Sequence, residues 1–274
     1  MGNTLRRPAQ ATSAQAAPLR ASWISYSIHA GLFFASSFTM LLPAVGAELP
    51  TTVYPSFRVE TDLYEGNETT PQSQHLILFD AGVVYDLPVQ HGSVVTVFDI
   101  PRNRVVLIHK ATRVRTSIST DTLIQMAAQL RAAASDGGSK DLGLNAEINP
   151  GVKPDSYVVE FGANRYEVTT QLVNDPAVAA EFASFTAWAS RLNMARHVGA
   201  PPFARIALAD QLASANRLPK QLTLDVRRAL TKERFRSENL FVERLCDLDR
   251  KKISEVGGMM ATYPEVDFSE FPAD

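Results

Sequence analysis

The chain has a single cysteine, Cys246, in 274 residues. No intramolecular disulfide can form, and no second thiol exists to complete a Cys-x-x-Cys redox or zinc motif. Histidine is nearly as scarce. Of the five, His29 lies in an N-terminal leader, and His75, His91, His109 and His197 are dispersed, with no metal-ligand spacing among them or to the cysteine. His-Glu-x-x-His and Gly-x-Ser-x-Gly are missing, as is any glycine-rich phosphate loop behind a strand. These absences leave no catalytic residue, no cofactor-binding residue and no metal ligand to name. A protein without cofactor or enzymatic activity is the expectation.

Charge is missing from one long stretch. Residues 1–20 hold Arg6, Arg7 and Arg20 and no acid, and residues 21–47 hold no Asp, Glu, Lys or Arg at all. Apolar density peaks in LFFASSFTMLL (32–42). Pro43 ends that run, and Val45-Gly46-Ala47 supplies the small residues a signal peptidase needs. Residues 1–47 therefore read as a Sec-type signal sequence, giving a periplasmic or secreted protein. The uncharged run exceeds the roughly 20 residues that span a bilayer, so retention as an N-terminal anchor is the alternative. Membrane contact would then run through residues 21–47 only. No cysteine stands at the cleavage point to take a lipid.

The leader carries three of the 27 basic residues, which leaves 24 against 29 acidic ones and a net charge of −5 for the remainder. A mildly acidic chain with mixed signs is a poor partner for nucleic acid, and none is expected. The most basic stretch, 227–252, is interleaved with Glu233, Glu238, Glu243, Asp247 and Asp249 and reads as solvated surface.

Residues 48–274 read as one α+β domain. FRVETDL (57–63) largely alternates apolar and polar residues, as a strand with one wet face does. Residues 75–79 and 83–87 flank Asp80-Ala81-Gly82 as a hairpin, and 94–100 and 104–118 flank Pro101-Arg102-Asn103 as another. A helix over 120–134 follows, capped by Ser119 or Thr120 and stopped at Gly137-Gly138. Residues 135–156 form a long polar loop. A third hairpin spans 157–161 and 165–170. Asp175-Pro176 then opens a helix with the apolar stripe Val178, Phe182, Phe185, Ala189 and Leu192. A shorter helix at about 203–216, strands at 222–226 and 234–240, and a long amphipathic helix from Phe241 through Leu245, Leu248, Ile253, Val256 and Met260 complete the order. That last pattern makes Cys246 a small buried hydrophobe. The tail from about 262, with Phe268 and Phe271, is expected to pack loosely. Hairpins in place of βαβ crossovers imply an antiparallel sheet.

Several strands are apolar on both faces, so something must cover each side of the sheet. Leu76, Leu78, Val97, Val105 and Leu107 are the residues expected to line a hollow there. Carboxylates recur at strand ends: Asp80, Asp86 and Asp99. Aspartate favours turns because its side chain bonds nearby backbone amides. An Asp80–Asp99 pair, or Asp86 with a histidine, would be the only acid–base constellation.

The segments LFDAGVVYDLP (78–88) and VFDIPRNRVVLI (97–108), followed by the helix over 120–134, resemble the start of the bacterial lipoprotein-carrier and lipoprotein-receptor family. The resemblance covers about half of the chain beyond residue 47. It implies a strongly curved, half-barrel-like antiparallel sheet covered by helices, an envelope location, and acyl chains held in the hollow. The chain departs from the receptors in lacking a lipidation cysteine, and from the carriers in its long second half.

Three functions follow from these expectations. The first is an exported protein binding a hydrophobic or lipid-like ligand, such as an acyl chain, between sheet and helices. The second is a structural or protein-interaction module of the cell envelope, with envelope proteins as partners. The third is an exported hydrolase using an aspartate pair.

Overall fold

Alternation, turn chemistry and capping build eleven strands and four helices among the described residues. The computed structural model describes residues 54–90, 92–134, 140–227 and 232–272. The export segment expected over 1–47, His91, and residues 135–139 of the polar loop lie outside them. The order is β1 (Phe57–Glu65), β2 (Ser73–Asp80), β3 (Val83–Gln90), β4 (Val94–Asp99), β5 (Arg104–His109), β6 (Val114–Ser119) and α1 (Thr120–Ala133). Then come β7 (Glu147–Pro150), β8 (Ser156–Phe161), β9 (Asn164–Leu172), α2 (Pro176–Ala195), α3 (Pro202–Ser214), β10 (Arg217–Arg227), β11 (Lys232–Val242) and α4 (Asp247–Thr262).

All strands join one antiparallel sheet in the order β6-β5-β4-β3-β2-β1-β11-β10-β9-β8-β7. Its seam of longest sequence separation is β1 on β11, with Val59 opposite Phe241 and Thr61 opposite Asn239; β9 meets β10 across the α2–α3 insertion. The helix starts follow the sequence signals. Ser119 Oγ accepts from the Thr122 N–H at α1, and Asp175 accepts from the Ala177 N–H at α2, whose first residue is Pro176. The β2–β3 hairpin turns on Ala81 and Gly82, both left-handed at φ 51° and 77°. That is the geometry a two-residue hairpin requires, and Gly82 meets it without steric cost.

Side-chain alternation divides the sheet into two faces. On one, Phe57, Val59, Ile77, Phe79, Phe98, Val105 and Leu107 pack with Leu123 of α1 and Phe182 and Phe185 of α2. The rings of Phe57 and Phe79 stack with centroids 4.0 Å apart, and Phe185 meets Phe79 and Phe98 edge-on. Further along the same face, Val159, Tyr166, Val168 and Leu222 pack with Ala204, Leu208 and Leu212 of α3. On the opposite face, Val95, Val97, Val106 and Ile108 bury Val256 of α4, and Leu76 and Leu78 meet Leu245. Each such buried aliphatic or aromatic side chain stabilises the fold by about 1.5–3 kcal/mol.

The sheet is antiparallel, but it is neither strongly curled nor closed, which corrects the half-barrel expectation. The reason lies in α4. A rolled sheet would turn its convex face to water, whereas here the back of β2–β5 is clamped by a helix. The two-sided apolar pattern reports that helix.

Smaller corrections have local causes. The run 104–118 is two strands, because Arg113 takes a left-handed φ of 55° and its N–H returns to the His109 carbonyl. The loop 135–156 contains β7. Strand β10 starts five residues before Leu222, its early part obscured by Pro219, where the register on β9 shifts between Pro219 and Gln221. Phe241 belongs to β11 and packs at 5.5 Å on Phe57, on the face away from α4. Cys246 is exposed at the N-cap of α4, not buried in its stripe. The tail after α4 is tied down: the Arg115 N–H donates to the Pro264 carbonyl and the Val266 N–H to the Arg115 carbonyl, and Phe271 meets His109 edge-on.

Candidate functional site: a cleft beneath helix α2

Along β1 the helix-facing side chains run Phe57, Val59, Thr61, Leu63, and along β2 they run Phe79, Ile77, His75. Large apolar groups thus give way to small or polar ones in the same direction on neighbouring strands. Asp86 of β3, Thr96 of β4 and Ser237 and Asn239 of β11 continue that band. The facing part of α2 is also lean, with Thr186, Ala189, Ser190 and Asn193. Two lean walls cannot meet, and a cleft of about 450 Å³ lies between them. Apolar side chains line it from both sides, Ile77, Phe98 and Leu222 from the sheet and Phe182 and Phe185 from α2. The volume falls within the roughly 300–1,000 Å³ of small-molecule sites.

Four polar side chains of the cleft pair with one another. Thr61 Oγ1 donates to Asn239 Oδ1 at 2.8 Å, and Asn239 Nδ2 donates to the Pro219 carbonyl at 3.1 Å, beside the register shift. His75 Nδ1 lies 2.6 Å from Asp86 Oδ1. Asp86 is the only carboxylate on the described lining.

Three arginines border the same space. Arg196 caps the C-terminal end of α2, and Arg205 stands in the first turns of α3. Arg205 shares a helical stripe with Leu208, Ala209 and Leu212, and it reaches both the cleft and the narrow gap under α2 and α3. Burial pulls its guanidinium below the usual arginine range, and Tyr166 offsets part of that. Burial likewise pushes the Tyr166 hydroxyl up, with Arg205 opposing. Arg205 makes no hydrogen bond or ion pair among the described residues. Arg236 also borders the cleft through β11, but alternation sends its side chain to the other face, over the Tyr64 ring at 4.3 Å.

The residues singled out in the sequence fall elsewhere. Leu76, Leu78 and Val97 point to the α4 face, and Val105 and Leu107 pack in the core against α1 and α2. The structure therefore splits the five between opposite faces, and none is on the described lining of the cleft. Asp80 accepts from Ser56 Oγ at 2.9 Å, and Asp99 is held by Arg102 and Arg104 at 3.2 and 2.9 Å. Those two aspartates serve turns and strand ends, each with its own partners. Asp86 does meet a histidine. His109 is buried and bonded to Thr112, and His197 is an exposed left-handed residue after α2.

Sequence reasoning missed Arg205, although a signal was present. In PFARIALADQLAS a lone cation sits at i, i+3, i+4, i+7 with Leu208, Ala209 and Leu212, on the stripe where a helix turns its apolar side inward.

Among the described residues no group of three or more His, Cys, Asp or Glu could hold a metal ion, and no helix is long and apolar enough to cross a membrane. Comparison with protein-family models and with curated proteins finds no match to this chain.

Proposed function

We propose that the protein is an exported, non-enzymatic binding protein that holds a hydrophobic, acyl-chain-bearing ligand in the cleft beneath α2. One observation carries the reading: a cleft of about 450 Å³ between the sheet and α2 brings the apolar side chains of Ile77, Phe98, Phe182, Phe185 and Leu222 to one space. The volume is that of small-molecule sites, which pair apolar walls with a few convergent polar groups. The resemblance to the lipoprotein carriers supports the same reading, since those proteins shelter acyl chains beneath helices. The leader supports export, which would place the protein among membrane lipids.

The test is native mass spectrometry and solvent extraction of the protein purified from its own host. A co-purifying acyl lipid at near-stoichiometric amount is expected. Replacing Ala189 by Trp fills the cleft from α2 at a partly exposed position, and should abolish ligand capture without unfolding the chain. A cleft that carries no lipid from the host, and takes up none when offered, would overturn the proposal.

A second reading, hydrolysis, is favoured by the His75–Asp86 contact at 2.6 Å on the same wall. A carboxylate that orients a histidine is half of a general-base arrangement, and Thr61, Thr96 and Ser237 bring hydroxyls to the lining. Acyl-ester hydrolysis that disappears in His75→Ala would establish it. No turnover by the unaltered protein would dismiss it.

A further inference from the structure

We infer that the cleft ligand carries an oxyanion head group, carboxylate or phosphate monoester, on a single alkyl chain, and that Arg205 is the residue that pairs with it. The inference rests on the ligand-binding reading above and adds a head group to it.

Three observations support this. Arg205 is the one cation on the inward stripe of α3, in a helix otherwise built from Phe203, Ala204, Leu208 and Leu212 against the sheet. A guanidinium offers five donors, and none is matched among the described residues. Arg205 is half-buried and its nitrogens are not fully enclosed, so they stay open to a partner in the cleft. Finally, the single carboxylate on the described lining, Asp86, is already engaged by His75. An anion entering the cleft therefore meets a guanidinium with no unengaged carboxylate of the described lining to compete for it. The planar fork of arginine suits a carboxylate or phosphate in two-point contact, and the apolar side chains lining the cleft suit one chain. Arg196 borders the same cleft at the end of α2 and adds positive potential where a charged head would enter.

The experiment compares three probes of equal chain length on the purified full protein: hexadecanol, hexadecanoate and hexadecyl phosphate. The charged probes should bind at least about tenfold more tightly than the alcohol, the scale of a charge-assisted hydrogen bond. Which of the two binds better tells carboxylate from phosphate. Arg205→Gln should erase the preference while leaving hexadecanol affinity within about twofold. Arg205→Lys should retain part of it, which guards against a folding defect in the first variant. Arg234→Gln, on the opposite face of the sheet, should leave all three affinities alone. Equal binding of all probes by the unaltered protein, or a preference that survives Arg205→Gln, would overturn the head-group assignment and leave the cleft reading standing. Binding of none of the three would overturn both.

Discussion

The two halves of the sheet meet their surroundings in opposite ways. Strands β2–β5 are sandwiched, with α1 and α2 on one side and α4 on the other, and β2, β4 and β5 carry buried side chains on both faces. Strands β8–β11 are covered on one side only. Their outer face is a polar lattice in which Asp225 binds Arg234 and Lys232, Arg165 meets Glu160 and Glu167, and Gln221 meets Glu238. The difference teaches that two-sided apolar strands mark a layer of protein on each side. The cleft lies where the two halves join, at the transition from filled to lean positions.

Removing α4 should have the largest effect. A chain ending at Val242 exposes Leu76, Leu78, Val95, Val97, Val106 and Ile108 together, and is expected to aggregate or bind a hydrophobic dye strongly. A soluble, cooperatively unfolding truncation would break the comparison. Next comes Phe98→Ala in the sandwiched half. Phe98 is 2% exposed and packed edge-on against Phe185, so urea unfolding should show a loss of about 3–5 kcal/mol.

Asp249→Asn is expected to cost about 1–3 kcal/mol. The buried carboxylate receives the Cys246 N–H at 2.9 Å and Arg58 at 3.2 Å, tying α4 to β1. Burial alone would raise its pKa, but the Cys246 backbone, the Cys246 thiol and Arg58 together outweigh that and hold it below the ordinary value. A depressed carboxylate stabilises the fold above its unfolded pKa of about 3.9. That stabilisation is lost as pH falls through the lower, folded value. The acid limb of stability against pH should therefore flatten in Asp249→Asn. The smallest effect belongs to the wet half. Thr223→Ala, on the solvent side of β10, should change stability by no more than about 0.5 kcal/mol. A larger loss would mean that the polar lattice is worth more than surface pairs usually are.

How much of this could be read in the sequence depended on whether the deciding signal was local. Ser119, Asp175 and Pro176 act on their own helix ends, and those helices stand where expected. Asp80-Ala81-Gly82 acts on its own turn, and the hairpin is there. The turn at Lys110–Arg113 was hidden because a left-handed arginine stands where glycine or asparagine would have announced it. Pro219 concealed the start of β10 for the converse reason, a turn residue lodged inside a strand. The cleft was illegible because it needs Thr61, His75, Asp86 and Asn239 on one patch, and β1–β11 register brings together residues about 180 positions apart. The five apolar residues first expected at a hollow belong to two faces, and no periodicity argument could say which face a helix from the far end of the chain would cover.

The tail that binds Arg115 has a consequence for solubility. An open eleven-stranded sheet ends in two rims of unpaired backbone groups, each a template for another chain's strand. At the β6 rim the protein's own residues 264–266 occupy that template through a parallel bridge between Arg115 and Glu265, fastened by the Arg115–Glu265 ion pair at 2.8 Å. At the other rim β7 has four residues and ends in Pro150, too short and too poor in donors to extend the sheet. Residues 264–266 thus occupy backbone groups of the β6 rim that another strand would otherwise use.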